Sequence, residues 1–367
     1  MDQLFQFADD IGPEKVIGIY KPKLDLRAIV VIDNVAAGPA IGGCRMAPDV
    51  TLEECFRLAR AMTMKNAAAG LPHGGAKSVI AADPRMPADR KEVVIRAFAQ
   101  ALRDIRDYIV GPDMGTNERD MAYIHDEIGR SVGLPREIGG IPLDEIGATG
   151  FGIAVAAEVA QDFCEVKLAG ARVAVQGFGA VGKHAAQFLA ARGAVLVAAS
   201  DSAGTIANPK GLDVHALSAF KGLGGKVVDF GGGERLDRDA IIGIDCDIWI
   251  PAARPDVVTM ANVDSIRAKL VLQGANIPVS PEAEERMRQR GVLSLPDFIV
   301  NAGGVICAAV EYHGGTQTLA FQTIEEKIRE NTRAVLEATR ARNVSPRQAA
   351  VDLARQRVVS AAGYRRF

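Results

Sequence analysis

Two lysines with unusual surroundings are the first candidates for chemistry. Lys65 and Lys77 lie in residues 64–77, a segment that otherwise consists mainly of small and apolar residues. A lysine held partly away from water has a lowered pKa, so its neutral amine can activate water or polarise a carbonyl. A second lysine can bind a substrate carboxylate as a fixed point charge. The segment therefore predicts a site that combines a reactive amine with an anchor for a carboxylate.

Asp113 is a third candidate, because it stands between Gly111 and Gly115 after an apolar stretch. A turn at this point could carry the carboxylate into a cleft. Aspartate also favours turns for structural reasons, since its side chain accepts hydrogen bonds from the nearby backbone. Its position alone leaves open whether Asp113 forms the turn or moves protons.

A glycine-rich fingerprint for dinucleotides follows as Gly177-Phe178-Gly179-Ala180-Val181-Gly182. An apolar run predicts a strand before it and a helical pattern follows it, while Asp201 comes after the next predicted strand, 19 residues beyond Gly182. The first glycine permits the tight turn, the second lets the backbone approach a pyrophosphate, and the third allows close packing of helix on strand. Free N–H groups at the start of the helix favour the phosphates. This context predicts a nicotinamide dinucleotide as cofactor.

Asp201 indicates which dinucleotide the fingerprint binds. Its carboxylate can accept hydrogen bonds from both ribose hydroxyls, whereas it would repel a 2′-phosphate. NAD is therefore predicted ahead of NADP. NADP stays open, because the neighbouring Ser200 and Ser202 can tolerate a phosphate.

The elements that position these residues follow from hydrophobic patterning. The first part of the chain predicts strands at 28–32 and 78–81 and helices at 52–65 and 91–110. After about residue 150, short apolar strands alternate with helices, as is typical of a parallel, doubly wound sheet. These strands are predicted at 173–176, 195–199, 248–250, 270–272 and 298–300, and residues 323–359 are predicted to be helical.

The length of 367 residues suggests two α/β domains, at roughly 100 to 200 residues each. We expect residues 1–145 to form a mixed α/β domain for substrate binding, catalysis and oligomerisation, which the helices of residues 326–367 rejoin. Residues 146–325 are predicted to form a doubly wound, Rossmann-type dinucleotide-binding domain, with a cleft between the two domains.

Composition and charge argue against several other classes of function. The 43 lysines and arginines nearly balance 45 aspartates and glutamates, so the basic excess needed to bind nucleic acid or an acidic membrane is lacking. The five cysteines are scattered and form no Cys-x-x-Cys pair, which argues against a zinc site and a disulfide framework. The apolar runs are too short to span a bilayer, and the N terminus lacks a signal-peptide pattern. We expect a cytoplasmic protein without a metal.

With these residues identified, the chain resembles the amino acid dehydrogenase superfamily, which comprises glutamate, leucine, valine and phenylalanine dehydrogenases. The similarity runs from about residue 38 to residue 315, through several motifs in the same order. Besides the two-lysine segment and the fingerprint, these are residues 38–46, 112–116, 148–152, 274–276, 296–297 and 301–305.

The resemblance implies oxidative deamination of an amino acid by a homo-oligomer. A lysine matching Lys65 holds the α-carboxylate, and a lysine matching Lys77 activates water and stabilises the carbinolamine. An aspartate matching Asp113 moves protons to and from the substrate nitrogen, so that ammonia can leave. The implied cofactor contacts are Thr149, the six residues Gly177, Phe178, Gly179, Ala180, Val181 and Gly182, together with Asp201, Ser202, Ala252, Ala253 and Asn276.

The side-chain pocket favours an apolar substrate over glutamate. Glutamate-type members resemble one another in a lysine before the Gly-Gly pair and in a serine after Asn-Ala-Gly-Gly, both of which hold the side-chain carboxylate. This chain has Ile41 and Ala308 there, and Glu145 in place of a nearby arginine. A buried carboxylate without a charged partner is strongly disfavoured. We predict leucine, valine or isoleucine ahead of phenylalanine, in a pocket of Ile41, Gly42, Gly43, Met62, Val305 and Ala308.

Four alternatives stay open from the sequence. Glutamate is one, and a basic amino acid facing Glu145 is another. A hydroxy acid dehydrogenase would share the fingerprint but needs a His/Arg pair, which the sequence does not offer. A non-catalytic NAD-binding regulator would not need the two lysines and Asp113, which are all present. His73, inside the lysine segment, is expected to be a loop histidine bonded to a backbone group, without a catalytic role.

Overall fold

A computed structural model describes residues 6–365, which divide into two compact units. The first unit contains the residues up to Leu143, then Val305–Ala320 and the residues from Val351 onward. The second unit contains Asp144–Gly304 and Phe321–Ala350. The two-domain α/β architecture is as predicted, and the cleft stays a prediction.

The first unit contains a mixed five-stranded sheet in the order β1-β2-β4-β3-β5. Strand β2 pairs antiparallel with both β1 and β4, whereas β3 runs parallel to both β4 and β5. The strands are β1 (Lys15–Lys21), β2 (Leu26–Asn34), β3 (Ala40–Ala47), β4 (Gly75–Ala81) and β5 (Tyr108–Pro112), and the helices are α1 (Leu52–Ala68), α2 (Ala88–Ala101) and α3 (Glu118–Ile128).

Each face of this sheet is covered by different helices. Phe98 of α2 and Met121 of α3 join Cys44 and Met46 of β3 in a buried cluster on one face. On the other face, α1 packs its apolar residues against Val79 of β4 and its neighbours. Because side chains alternate along a strand, the residues at odd positions of β3 and β4 lie on the face covered by α1.

One predicted helix in this unit is wrong at its end. The sequence predicts a helix over 91–110, but α2 ends at Ala101 and the apolar residues that follow belong to β5. Tyr108, Ile109 and Val110 are aromatic or β-branched, and they are buried where β5 pairs with β3. Residues of this kind favour a strand over a helix, and pairing with β3 stabilises the strand.

The second unit contains a seven-stranded sheet in the order β12-β11-β10-β6-β7-β8-β9. Five strands are parallel, and β8 and β9 extend one edge antiparallel. The strands are β6 (Arg172–Gln176), β7 (Val195–Asp201), β8 (Gly204–Ala207), β9 (Glu234–Leu236), β10 (Ile248–Pro251), β11 (Leu270–Leu272) and β12 (Leu293–Leu295). This is the predicted doubly wound, Rossmann-like sheet.

The helices that accompany this sheet are α4 (Ala148–Ala160), α5 (Ala180–Ala190), α6 (Val214–Gly222), α7 (Pro281–Gln289) and the short α8 (Asp297–Val300). Three later helices complete the described chain, namely α9 (Gly303–Tyr312), α10 (Gln317–Arg342) and α11 (Pro346–Ala362). None of the helices within residues 6–365 is long and apolar enough to cross a membrane.

The strand predicted at 298–300 is wrong, since these residues form α8. Pro296 caps that short helix in an extended conformation, and Asp297 occupies its first turn. The strand that pairs with β11 is β12, which is only three residues long and has Ser294 at its centre. A strand of this length gives too little alternation to be found from sequence.

The C-terminal region is divided differently from the prediction, which returned residues 326–367 to the first domain. Residues 321–350 belong to the second unit, where Arg329 of α10 pairs with Glu158 of α4 at 2.5 Å and Arg347 of α11 pairs with Glu284 of α7 at 2.6 Å. The continuous helix predicted over 323–359 is interrupted, because Asn343 has a left-handed φ of 53° and Pro346 starts α11.

Candidate active site

Three neighbouring parallel strands bring the reactive residues together. Gly43 and Arg45 lie two residues apart on β3 and therefore face the same side, which is the side covered by α1. Lys77 lies on β4 beside them, and Asp113 follows the last residue of β5. The register pairs Gly43 with Gly111 and Cys44 with Ser78, so Lys77 lies beside Gly43, and Asp113 lies beside Arg45 in the next row on the same face. We call these four positions the charged cluster.

Lys77 and Asp113 form an ion pair within this cluster. Lys77 is buried, with 6% of its surface exposed, and its Nζ contacts Asp113 Oδ2. Gly43 leaves space for the pair, since a Cβ there would lie 2.8 Å from Asp113 Cβ and 3.1 Å from Lys77 Nζ. The structure thus brings together two of the three residues first singled out in the sequence.

Arg45 is a third charged group at this pair, and it was not predicted as a site residue. Its Nε lies 3.3 Å from Asp113 Oδ2, and its guanidinium also pairs with Glu54 at the start of α1. The available signal was its spacing, since Arg45 stands two residues after Gly43 in a predicted motif and a strand places such residues on one face.

The surroundings of Asp113 keep it ionised. Burial raises its pKa, but the positive charges of Lys77 and Arg45 outweigh burial and lower the pKa below its ordinary value of 3.8. Both cations lie against Oδ2, so this is the oxygen through which Asp113 and Lys77 can exchange a proton.

A tight turn after β5 fixes the position of Asp113. The backbone N–H of Asp113 donates to Thr116 Oγ1 at 3.0 Å, and that hydroxyl donates to the Cys44 carbonyl at 2.8 Å. Gly115 has a φ of 83°, and a Cβ there would lie 2.0 Å from the Met46 carbonyl oxygen. Asp113 is therefore both a residue of the turn and a member of the charged cluster. Its role in the turn is thus compatible with the predicted role in moving protons.

Lys65 lies in the last turn of α1 and is half-buried. The neighbouring Asn66 is fully buried, and its side-chain amide donates to the Gly74 carbonyl at 2.7 Å and to the Ile41 carbonyl at 3.2 Å. Asn66 thus ties the end of α1 to β3 and to the loop before β4. Asn66 was not predicted as a site residue, because an asparagine beside a lysine carries no distinctive pattern.

The residues predicted for the substrate side chain all lie in the first unit. Ile41 is buried and shares its face of β3 with Gly43 and Arg45. Met62 is half-buried on α1, while Val305 and Ala308 lie on α9. Gly42 has no room for a side chain, since a Cβ would lie 1.6 Å from the Ala76 carbonyl oxygen. That these residues form one pocket stays a prediction.

The fingerprint has the geometry of a dinucleotide site. Gly177 has a φ of 88° immediately after β6, and a Cβ at Gly182 would lie only 2.1 Å from the Gly177 carbonyl oxygen. Gly179 caps the N terminus of α5 in an extended conformation, and a Cβ there would meet nothing within 4 Å. The open space at Gly179 and the close packing at Gly182 are what a pyrophosphate approaching the helix N terminus requires. These residues fit the dinucleotide.

Asp201 ends β7, next to the fingerprint strand, and its carboxylate is already engaged. Oδ2 accepts from Lys221 Nζ at 2.7 Å and from the Val227 N–H at 2.9 Å, while Oδ1 accepts from the Ala203 N–H at 2.9 Å. Although burial raises its pKa, these donors outweigh burial and lower the pKa. Ser202 is exposed beside it.

Three of the other four predicted cofactor residues lie on loops at the carboxyl ends of neighbouring strands. The Ala252 N–H donates to the Gln176 carbonyl at 2.7 Å, and a Cβ at Gly177 would lie 2.7 Å from Ala253 Cα. The side chain of Asn276 accepts a hydrogen bond from Asn301 at 3.1 Å. Thr149 lies in the first turn of α4, against Gly303.

No group of three or more histidine, cysteine or acidic side chains that could hold a metal ion occurs in the described part of the chain.

Comparison with protein families identifies the chain over nearly its whole length. Residues 139–366 match the Glutamate/Leucine/Phenylalanine/Valine dehydrogenase family, and residues 19–130 match the Glu/Leu/Phe/Val dehydrogenase dimerisation domain. The chain belongs to the Glu/Leu/Phe/Val dehydrogenase family. It is an amino acid dehydrogenase, an oxidoreductase that acts on a CH–NH₂ group.

Curated relatives of this dehydrogenase are named glutamate dehydrogenases. The enzyme of Aeropyrum pernix is 38% identical over 322 residues, covering 83% of this chain and 77% of the relative. That of Thermotoga maritima is 38% identical, covering 89% and 83%. The NADP(+)-dependent enzyme of Pyrobaculum calidifontis is 36% identical, covering 91% and 83%. These relatives do not support the predicted closeness to the leucine and valine type, and they leave NAD against NADP unresolved.

Solved structures with the same fold include enzymes for several substrates. The hetero-hexameric glutamate dehydrogenase of Thermus thermophilus, in its Leu-bound form, has a TM-score of 0.83 at 27% identity, covering 98% of this chain and 94% of that one. Glutamate dehydrogenase of Peptoniphilus asaccharolyticus gives 0.85 at 28%, covering 99% and 94%. L-Tryptophan dehydrogenase of Nostoc punctiforme gives 0.76 at 25%, covering 98% and 99%.

Proposed function

We propose that this dehydrogenase catalyses the reversible oxidative deamination of an L-amino acid to the 2-oxo acid and ammonia. The observation that carries the proposal is the buried Lys77–Asp113 pair beside Gly43, in a chain of this family. An amine and a carboxylate in contact can exchange a proton with each other and with a substrate held beside them.

The bound nicotinamide supplies the hydride acceptor, so that loss of hydride from Cα leaves an iminium carbon. Lys77, after passing a proton to Asp113, takes one from water as that water attacks the iminium carbon. Asp113 Oδ2 accepts and returns the proton that the substrate nitrogen needs before ammonia departs. Lys65, at the end of α1, holds the α-carboxylate as a fixed positive charge.

Two observations point to different substrate side chains. Ile41 is apolar and buried on the face of β3 that carries the charged cluster, and Ala308 is buried on α9. Neither residue can hold a side-chain carboxylate, which favours an apolar amino acid. The names of the relatives favour glutamate instead, so glutamate is the second candidate.

Initial rates with single amino acids, each with NAD and with NADP, test the proposal. We expect turnover of leucine, valine, isoleucine or phenylalanine above that of glutamate and lysine. An Ile41→Lys variant supplies the missing cation, so it should move the ratio of kcat/KM toward glutamate by at least tenfold. Activity confined to glutamate would replace the first candidate by the second, and oxidation of no amino acid would contradict the proposal itself.

NAD is the proposed cofactor, although Lys221 weakens the discrimination against NADP. The Asp201 carboxylate repels a 2′-phosphate, but Lys221 neutralises part of that charge at 2.7 Å. A Lys221→Ala variant should therefore favour NAD over NADP more strongly than the parent, by about threefold or more in the ratio of dissociation constants. The exposed Lys210→Ala variant, matched in residue type, should leave the ratio unchanged.

Self-association is proposed from the family match. Residues 19–130 correspond to the dimerisation domain, and one structural neighbour is described as hetero-hexameric. Light scattering after gel filtration should give a mass of at least two 38.8 kDa chains.

A further inference from the structure

We propose that His73 and His313 form a proton-dependent hydrogen bond that holds the substrate side-chain end of the site to the lysine segment. The proposal rests on the function proposed above, in which both segments bind the amino acid. It assigns positioning roles to two histidines that take no part in the chemistry.

The two histidines meet through their Nε2 atoms, which lie 3.0 Å apart. His73 is buried, with 2% of its surface exposed, whereas His313 is exposed at the end of α9. The other ring nitrogen of His73, Nδ1, lies 2.9 Å from the Pro39 carbonyl oxygen. This contact agrees with the prediction that His73 is a loop histidine bonded to a backbone group.

These contacts determine where the protons are. A carbonyl oxygen can only accept, so His73 Nδ1 carries a proton and donates it to Pro39. Neutral His73 then has a bare Nε2, which accepts a hydrogen bond from His313 Nε2. If His73 gains a second proton, its Nε2 donates instead to a neutral His313 whose own proton lies on Nδ1, so the bond between the rings survives. Two N–H groups face each other, and the bond is lost, only when both rings are protonated.

The bond joins three segments that carry proposed substrate groups. His73 lies in the loop between α1, which ends near Lys65, and β4, which carries Lys77. Pro39 directly precedes β3, which carries Ile41 and Gly43. His313 follows the last residue of α9, the helix of Val305 and Ala308. Loss of this bond frees the end of α9 from the loop and should weaken amino acid binding.

The surroundings of His73 favour its neutral form. Burial lowers its pKa below the ordinary value of 6.5, and the charge of His313 lowers it further, while the bond to Pro39 acts in the opposite direction. Tyr312 touches both rings edge-on, with centroids 5.8 Å from His73 and 5.4 Å from His313. The nearby acid Glu311 is engaged elsewhere, with the backbone N–H groups of residues 133, 134 and 141.

The sign of the pH effect follows from this lowered pKa. The folded protein resists a proton that the unfolded chain accepts near pH 6.5, so the pair's contribution is complete above that pH. It is lost only below the lower pKa of folded His73, where both rings can be protonated. Amino acid affinity should fall in the same window, on the acid side of neutrality.

Steady-state kinetics from pH 5 to 8.5 test the pair with three variants. His313→Gln has an amide that can donate to neutral His73 or, through its oxygen, accept from protonated His73, so its bond does not depend on protonation. His313→Ala removes the donor, and His215→Ala is the matched control, because His215 is an exposed histidine of the second unit. We follow KM for the amino acid and kcat separately.

We expect His313→Ala to raise KM about fivefold at pH 7.5, the size expected for one hydrogen bond, with kcat within twofold of the parent. Parent and His313→Ala should converge in KM at low pH, and His313→Gln should lack the acid-side rise relative to the parent. An unchanged KM in His313→Ala at pH 7.5, or the same acid-side rise in His313→Gln, would overturn the proposal.

A measurement without substrate separates this proposal from the proposed function. Nitrogen NMR of the imidazoles should show His73 protonated at Nδ1 and bare at Nε2 at pH 7.5. A proton on His73 Nε2 at this pH would refute the pair, whatever the enzyme oxidises. Conversely, the expected spectrum in a protein that oxidises no amino acid would refute only the function.

Discussion

Asp113 owes its charge state to two neighbouring cations, and Arg45 is the one that can be removed without touching Lys77. The lowered pKa of Asp113 means that its carboxylate stays ionised when the pH falls below the value at which it would ordinarily be protonated. An Arg45→Gln variant loses one charge at 3.3 Å. We expect the pKa of Asp113 to rise, which moves the acid limb of the kcat/KM profile to higher pH.

Arg27→Gln is the control for this shift, since Arg27 is exposed and pairs with Asp25. Its profile should superimpose on that of the parent. An acid limb that does not move in Arg45→Gln would show that Asp113 does not limit the reaction on the acid side.

At the level of single residues, the sequence indicated the groups that we propose to react but not those that position them. Lys77 and Asp113 were found because a lysine among small residues and an aspartate between glycines are unusual. Arg45 and Asn66 look ordinary in sequence. Their roles depend on pairing between strands and on where α1 ends, which patterning does not determine.

Two glycines of the fingerprint allow the packing of α5 and the binding of NAD to be tested separately, because Gly182 and Gly179 have different surroundings. A Cβ at Gly182 would collide with the Gly177 carbonyl oxygen at 2.1 Å, whereas one at Gly179 would meet nothing within 4 Å. Gly182→Ala should therefore lower the melting temperature and weaken NAD binding. Gly179→Ala should keep the melting temperature within about 1 °C and still weaken NAD binding at least tenfold, because the pyrophosphate must approach there.

Thermal unfolding and titration calorimetry distinguish the two variants. Normal NAD affinity in Gly179→Ala would mean that the phosphates do not approach this helix terminus. An unaltered melting temperature in Gly182→Ala would mean that α5 and β6 do not pack as described.

Helix α9 is anchored by Glu311, whose buried carboxylate accepts three backbone N–H groups, from Gly133 at 2.7 Å, Leu134 at 3.1 Å and Ile141 at 2.7 Å. Glu311→Ala leaves these donors without their partner, and we expect a loss of about 2–4 kcal/mol in the free energy of unfolding. Denaturant titration measures this loss. Glu326→Ala, at an exposed position of α10, should change it by less than about 0.5 kcal/mol. Similar losses in both variants would contradict the anchoring role.

At the level of elements, strong patterns were predicted well and short ones were not. Strand β2, helix α1 and strands β6 and β7 have clear periodicity, and the structure places them where the sequence did. The errors fall at 91–110, where a helix and a strand share one apolar stretch, and at 298–300. Those three residues are apolar but form a helical turn after Pro296, so local backbone restriction prevailed over composition.

For the whole molecule, the sequence predicted two α/β units and the identity of the second, but not the path of the C-terminal helices. Part of what holds these helices to the second unit is ion pairs between distant parts of the chain, such as those of Arg347 with Glu284 and Asp297. Such pairs leave no periodic trace in a sequence. The family, by contrast, was evident because its motifs occur in order along the chain.

We propose above that Lys77 is the reactive amine of this dehydrogenase, and a comparison of the parent with two lysine variants tests that claim. The measurement is kcat/KM for the preferred amino acid, together with the NAD dissociation constant, in the parent, Lys77→Ala and the exposed control Lys23→Ala. We expect Lys77→Ala to lose about 10²–10⁴-fold in kcat/KM while its NAD affinity stays within twofold, and Lys23→Ala to match the parent. Turnover by Lys77→Ala within tenfold of the parent would contradict the claim.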